Sequence, residues 1–449
     1  MTSEWKSATF GEACLKITDG AHNSPASVLH GKPMASVKDL TRFGVDLKSA
    51  RLISQEDFDL LVKQGCKPSV GDVLIAKDGN SALYTVCSVD SELDAVLLSS
   101  VAILRPNPEL LDSHFLKFYL SSPDVIGYLK NNFISGAAIP RVVLRDFKKA
   151  KISLPPLEEQ KKIAAIFQAL DDRIALLRET NISFEAIAQA LFKSWFVDFD
   201  PVHANAGNQE HTLPPEVQAL FPSRFVESSQ GLIPKGWKIA ELGDFLGVLA
   251  TGRRPKGGVA SFSEGIPSIG AESINGIGNF NFSKTKYVPI EFFEKMKSGL
   301  IEDYDVLLYK DGGKPGEFKP RVSMFGNSFP FETFAINEHV FRMRSDYLGQ
   351  AFLYFFVSHE RTLSELSNRG GKAAIPGINQ TDVKTLKIIA PPKCVLDAFQ
   401  NSVEPFLCKI LANASQSHNL ANLRDTLLPR LISGQLRLPE AEATLAEVG

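Results

Sequence analysis

Between residues 157 and 197 apolar side chains recur at alternating spacings of four and three. They are Ile163, Phe167, Leu170, Ile174 and Leu177, then polar Asn181, then Phe184, Ala188, Leu191 and Trp195. This heptad seam predicts a long helix whose single polar seam position fixes register against a partner helix. Glu158 and Glu159 fall in its first turn, where carboxylates suit the helix dipole. A poorer seam returns later through Phe399, Val403, Phe406, Ile410, Leu420 and Leu427, interrupted by Pro405, which predicts a kink or a delayed start. Each run follows a Pro-Pro pair, Pro155-Pro156 or Pro391-Pro392. Upstream of each pair, short β-branched runs (72–75, 101–104 and 305–308) alternate with Gly-rich turns and one amphipathic helix, over 115–129 and 351–366. That alternation predicts mixed α/β structure.

The two halves are one pattern written twice. Trp5-Lys6 and Asp19-Gly20 return as Trp237-Lys238 and Thr251-Gly252; GDVLIAKDG (71–79) returns as YDVLLYKDG (304–312); AAIPRVVLRDFKKAKISLPP (137–156) returns as AAIPGINQTDVKTLKIIAPP (373–392). A repeat with so little drift defines the architecture before any other signal. The expected fold is α+β: two similar mixed α/β globular domains separated by an antiparallel pair of long coiled-coil helices, related by a pseudo-twofold. The segments are a first globular domain (1–156), a first helical region (157–197), a proline-containing polar linker (198–234), a second globular domain (235–392), a second helical region (393–436) and a tail (437–449).

The apolar stripe on these helices is wider than one partner helix needs. Ile166, Phe192, Trp195, Phe196, Leu431 and Ile432 are therefore expected to accept helices from another chain; the alternative is that the helices fold back on their own globular domains.

Composition narrows the chemistry. The chain has 449 residues and a formal net charge of −2, with 44% hydrophobic and 22% charged residues, an ordinary globular composition. Its first residues show no basic segment followed by an apolar core, so a cytoplasmic protein without a membrane span is expected. Five cysteines without a close pair predict neither a disulfide framework nor a zinc site. There is no phosphate-binding G-x-x-x-x-G-K-[ST] and no H-E-x-x-H. Asp198 and Asp200 are the nearest thing to metal ligands, and carboxylates after a helix end are usually solvated. No metal site, bound cofactor or catalytic residue is expected.

What remains is a set of glycine-rich basic loops. In the second half these are TGRRPKGG (251–258), with Arg253, Arg254 and Lys256; YKDGGKPGEFKPR (309–321), with Lys310, Lys314, Lys319 and Arg321; and NRGGKAAIPG (368–377), with Arg369 and Lys372. In the first half HGKPMASVK (30–38), AKDGN (76–80) and SGAAIPR (135–141) supply Lys32, Lys38, Lys77 and Arg141. Glycines let backbone approach phosphates, while Arg and Lys neutralise phosphate or read guanine edges. Taken singly each is an ordinary solvated turn; as a matched set they suggest a DNA face. Between matched blocks the fillings differ, which suggests two readers of different sequences.

The runs LPPLEEQKKIAAIFQALDDRIALLRET, ALFKSWFVDFDP, GLIPKGWKIAELGD and TLLPRLISGQLRL resemble the specificity (S) subunit of type I restriction-modification systems, over essentially the whole chain. The resemblance implies two target recognition domains, each reading one half of a bipartite site in double-stranded DNA, with the helical regions as spacer. It implies two methyltransferase (M) subunits and restriction (R) subunits as partners. S-adenosylmethionine, used to methylate adenine, would belong to the M subunits; ATP and Mg²⁺ would serve the R subunits. The competing readings are a self-sufficient DNA methyltransferase or nuclease with a divergent site, and a coiled-coil scaffold. The first would need a cofactor loop that the sequence lacks, and the second leaves the duplicated loops unexplained.

Overall fold

The computed structural model describes residues 5–135, 140–208, 210, 212–371 and 376–448. The chain forms two compact units, Met1–Ala175 with Asn419–Gly449, and Leu176–His418. Each contains one globular part and a portion of both long helices, so compactness cuts through the helices rather than setting them apart as separate segments.

The two units share a core of equivalent elements in the same order. In the first, strand Lys6–Thr9 pairs antiparallel with Lys151–Leu154, and in the second Lys238–Glu241 pairs with Lys387–Ala390. The first unit's main sheet runs Cys14–Asp19, Val101–Pro106, Val73–Ala76, Val86–Ser88. Its counterpart runs Val248–Thr251, Val340–Arg344, Val306–Tyr309, Val322–Met324, and adds Gly276–Ile277 at the edge. A three-stranded sheet follows in each, centred on Lys32–Ala35 or Ile266–Ile269. The central strands Val73–Ala76 and Val306–Tyr309 are apolar throughout and wholly buried, as a strand covered on both faces must be.

The amphipathic helix expected in each globular part is two helices. Ser113–Ser121 ends before Pro123, which opens Pro123–Phe133 from its first turn, where its missing N–H costs nothing. Gln350–Ser358 and Glu360–Gly370 are separated by His359, whose ring nitrogen accepts from the Arg361 N–H.

Both long helices form, over Leu157–Phe196 and Lys393–Ile432. Pro405 neither delays the start of the second nor ends it. Pro405 and Asn401, whose carbonyl loses its donor, both lie on the exposed face, where that carbonyl is open to solvent, while Val403 and Leu407 stay buried. In the second unit the helices run antiparallel: Phe184 meets Phe406, and Trp195 meets Phe399 with ring centroids 5.7 Å apart. The polar seam residue Asn181 donates to the Ile410 carbonyl (3.0 Å) and accepts from Asn413 (2.8 Å). A one-turn slip would strand these amides, so the pair selects register.

Five of the six residues expected to face another chain are instead buried in their own unit. Phe192, Trp195 and Phe196 pack among Phe352, Phe355 and Phe399 in the second core, and Leu431 and Ile432 lie in the first core; Ile166 is partly buried beside them. Folding back thus fills part of the wide stripe, each large buried side chain gaining about 1.5–3 kcal/mol, while Leu176, Ile182 and Ile187 of the first long helix stay exposed. The linker expected over 198–234 is also structured. It forms helices Asp200–Asn205 and Pro215–Gln218 and the hairpin Phe225–Ser228 with Gly231–Pro234. Phe221 stacks edge-on against Trp195 at 5.3 Å, and buried Gln218 donates to the Pro201 carbonyl and to Asn205, which ties the segment to the second core. The tail contains a further helix, Leu438–Val448.

Candidate nucleic-acid interface

In each main sheet the two strands flanking Val101–Pro106 or Val340–Arg344 end side by side, where that strand begins, and the glycine-rich loops leave from there. In the second unit these loops follow Thr251 and Tyr309, and residues 376–378 join them. The Gly312 N–H donates to Pro376 O (2.9 Å), and Ile378 N–H to Lys310 O (2.8 Å). Lys310 N–H donates to His339 O at 2.9 Å. The first unit repeats this frame: Gly79 N–H to Pro140 O (2.9 Å), Val142 N–H to Lys77 O (3.0 Å), Lys77 N–H to Ser100 O (2.8 Å). The loops converge because the backbone accounts for them in the same way twice.

At the opposite end of each sheet, where Val73–Ala76 or Val306–Tyr309 begins, a buried aspartate locks the strands together. Asp72 accepts the Ser69 N–H and a two-pronged grip from Arg105 at 2.7 and 2.8 Å; Asp305 accepts the Glu302 N–H, Arg344 at 2.8 Å and Arg342 at 2.5 Å. Burial works against the Arg342 guanidinium, but Glu302 and Asp305 raise its pKa overall.

The side chains placed on this frame differ between units. In the second, Arg253, Lys256, Lys314 and Lys319 are exposed, the last paired with Glu317 at 2.6 Å. Arg254 meets Glu338 at 2.6 Å, and Lys310 meets Asp311 at 3.0 Å and donates to the Glu338 carbonyl. His339 bridges Asp311 and Glu338. Burial pushes the Asp311 carboxyl up, yet hydrogen bonds from His339 and Lys310 hold it below its ordinary value. Arg321 lies over the Tyr309 ring and donates to Ala271 O and Asn275. Two basic loops and the turn at His339 are therefore woven together through Glu338 and Asp311, two residues that sequence reasoning missed as members of the site.

In the first unit fewer of the expected residues reach the surface there. Lys77 is buried and bound to Asp19 at 2.5 Å, which makes it a strut and not a phosphate contact. Arg141 pairs with Asp78 at 2.9 Å and remains largely exposed. Lys38 is exposed, its turn joined to the frame by Val37 N–H donating to Ser100 Oγ. Lys32 pairs with Asp94 at 2.6 Å. Arg369 is spent inside the second unit: it donates to Asp382 O and Thr385 Oγ1 and pairs with Glu365. Lys372 lies outside the described residues, as do 136–139.

The counterpart of the loop carrying Arg253 is not 30–38. Gly20 and Gly252 occupy the same tight site, where a Cβ would sit 2.1 Å from Leu97 O or 1.6 Å from Ile336 O. The counterpart of the basic loop is thus 21–31, and the spacing of Asp19-Gly20 to Thr251-Gly252 was the signal for it.

Reactive chemistry is sparse. Burial pushes the Cys14 and Cys87 thiols up to about 12. Asp198 is paired with Lys193. Among the described residues no group of three or more His, Cys, Asp or Glu is placed to hold a metal ion, and no helix is long and apolar enough to cross a membrane.

Comparison with known proteins bears on the duplicated fold. The family described as "Type I restriction modification DNA specificity domain" matches residues 44–186 and 234–395, once per repeat. The specificity subunit of the type I restriction enzyme MjaIX from Methanocaldococcus jannaschii is 28% identical over 332 residues, covering 73% of this chain and 70% of that protein. The HindI specificity subunit from Haemophilus influenzae is 26% identical over 426 residues, covering 82% and 86%. In fold, the chain is similar to the crystal structure of a type I restriction-modification S subunit from M. genitalium, with a TM-score of 0.53, 14% identity and coverage of 96% and 97%.

Proposed function

Because this chain belongs to the type I restriction-modification DNA specificity family, we propose that its two globular parts each read one half of a bipartite site in double-stranded DNA. The chain is the recognition component; the chemistry belongs to partner subunits. Two methyltransferase (M) subunits bring S-adenosylmethionine and methylate adenine, and restriction (R) subunits use ATP and Mg²⁺. The two long helices serve as the spacer that sets the gap between half-sites. The complex works in the cytoplasm, where its DNA is.

The observation that carries this reading is the duplicated backbone frame with different side chains on it. Matching hydrogen bonds at Lys77 and Lys310, Gly79 and Gly312, and Val142 and Ile378 hold the loops in one arrangement twice. On that arrangement one unit places Arg253, Arg254, Lys256 and Lys314 while the other places Arg141, Lys38 and a run of uncharged residues. A frame that stays constant while its surface groups change is suited to reading two different sequences through direct contacts to base edges, with cations on phosphate fixing orientation. The test is to sequence methylated bases in a host carrying this chain and its M subunits. The reading requires an adenine-methylated motif of two specified parts separated by unspecified positions; a continuous motif contradicts it.

A further inference from the structure

The loop of the first unit that stands in the place of the basic loop carries no charge. Both loops are clamped at each end by a glycine. Gly20 and Gly252 abut carbonyls as described, and at the return a Cβ on Gly31 would lie 2.0 Å from Ile53 O, and on Gly265 2.3 Å from Val288 O. Two loops that leave and re-enter equivalent strands through equivalent steric constraints occupy equivalent places. Between the clamps the second unit has Arg253, Arg254 and Lys256, whereas the first has His22-Asn23-Ser24-Pro25-Ala26-Ser27-Val28-Leu29-His30.

This segment is exposed throughout except at Pro25, with Leu29 90% and Val28 38% accessible. Its base is ordered: Ala21 N–H donates to Leu97 O (2.7 Å) and Val28 N–H to Leu52 O (3.0 Å). His22 Nε2 lies 3.2 Å from Asp19 Oδ1, and the other oxygen of Asp19 is held by buried Lys77. Thus the lysine that cannot reach DNA positions the aspartate that orients the first residue of the loop. A solvated surface loop ordinarily carries charge, and an apolar tip raised into water is unfavourable unless a partner covers it.

We propose that residues 22–30 are the base-reading loop of the first unit, and that their ligand is the edges of base pairs in a duplex groove and not its phosphates. His22, Asn23 and Ser24 supply neutral donors and acceptors; an Asn amide matches the adenine edge, and apolar groups such as Val28 and Leu29 match thymine methyls. The inference rests on the DNA-reading role proposed above. It adds that the two units divide the work unequally: the first discriminates with little electrostatic contribution, and the second supplies most of the salt-dependent affinity.

The experiment uses the full chain assembled with its methyltransferase subunits. Three complexes are compared: wild type, a variant with His22→Ala, Asn23→Ala and Ser24→Ala, and a variant with Arg253→Ala, Arg254→Ala and Lys256→Ala. The neutral-loop variant should lose about tenfold or more discrimination at one or more positions of a single half-site, keep the other half intact and keep the wild-type salt slope. The basic-loop variant should flatten the salt slope and affect the opposite half. A neutral-loop variant with both halves read as in wild type overturns the inference and leaves the DNA-reading role standing, as does loosening of both halves equally. A wild-type complex with no two-part motif overturns both. Where the variant methylates no site, competition binding with duplexes altered in one half at a time decides, with Leu29→Ser as a second variant. Unchanged discrimination in both variants refutes the proposal.

Discussion

Replacing Asp171 with Ala should destabilise the first unit more than any single change on its surface. Asp171 lies on the first long helix and is 1% exposed. Its carboxylate takes Arg424 of the second long helix at 2.8 Å, Arg42 Nε at 3.2 Å to each oxygen, and Lys117 Nζ at 3.4 Å. Arg42 projects from the turn of the hairpin Leu40–Thr41 with Gly44–Val45, and Lys117 from helix Ser113–Ser121, so one carboxylate fastens the globular part to both helices. Burial depresses the Arg42 guanidinium despite Asp171. Burial also works against Arg424, yet its hydrogen bonds to Asp425 and Asp171 outweigh it and raise its pKa; Arg42 hydrogen-bonds Asp171 and feels Asp425 only through its charge. Removing Asp171 leaves Lys117 and the two arginines facing one another with only Asp425, itself half-exposed, as counter-charge. Breaking a buried pair from one side costs about 3–5 kcal/mol. For a unit of about 200 residues that is a fall in melting temperature of roughly 6–20 °C. Asp171→Asn, which keeps an acceptor, should fall between. Arg42→Met should cost under about 1 kcal/mol, because it also removes a buried Nη2 that has no acceptor. Calorimetry of the full chain reads the transition of the first unit directly. A fall of less than about 3 °C for Asp171→Ala would refute the idea that this carboxylate is the fastening.

Substituting Arg253, Arg254 and Lys256 together with Ala should flatten the salt dependence of DNA binding by up to about three phosphate equivalents; an unchanged slope in a filter-binding series would place the loop away from DNA. Matched insertions of one heptad, between Leu177 and Asn181 and between Asn413 and Ser417, add roughly 10 Å to each helix while restoring the seam. The methylated motif should keep both halves with a gap longer by a few base pairs; an unchanged gap in an active variant removes the helices from the role of spacer. Burial raises the Glu185 carboxyl above its ordinary range, against a hydrogen bond from Tyr354 that favours ionisation. Its stabilising contribution is therefore complete below the ordinary carboxylate pKa and is lost as pH rises through the raised value. Glu185→Gln should melt like wild type in acid and higher than wild type at pH about 8, and thermal scans with no pH-dependent gap would contradict this.

The sequence was most informative where periodicity and repetition coincide. The seam through Ile163, Phe167, Leu170 and Ile174 and the matched blocks ending in Pro-Pro led directly to the two 40-residue helices and the duplicated globular parts. It was less informative about what covers a wide apolar stripe: burial by Phe352 and Phe399 of the same chain and burial by a foreign helix put the same residues at the same spacings, so Phe192, Trp195 and Phe196 read alike in both cases. The linker was misjudged because prolines and polar residues dominate its composition, while two side chains, Gln218 and Phe221, anchor it. For the site, glycine spacing exposed the loop frame, but charge counting could not separate a cation turned to solvent from one used internally. Lys77 and Arg369 look like Arg253 in sequence and are held by Asp19 and Glu365 in space. A loop without charge, 22–30, gave no signal to a reading that looked for basic residues.

The central claim, that each unit reads its own half-site, is tested most directly by exchanging one reader. Residues 1–156 should be replaced with the equivalent part of another specificity subunit, retaining Arg42 and Lys117 so that the fastening to Asp171 survives. The complex with M subunits is then made and its methylated bases sequenced. The account predicts a motif in which one half is new and the other half is that of the original chain. A folded, active exchange in which both halves change, or neither does, contradicts it.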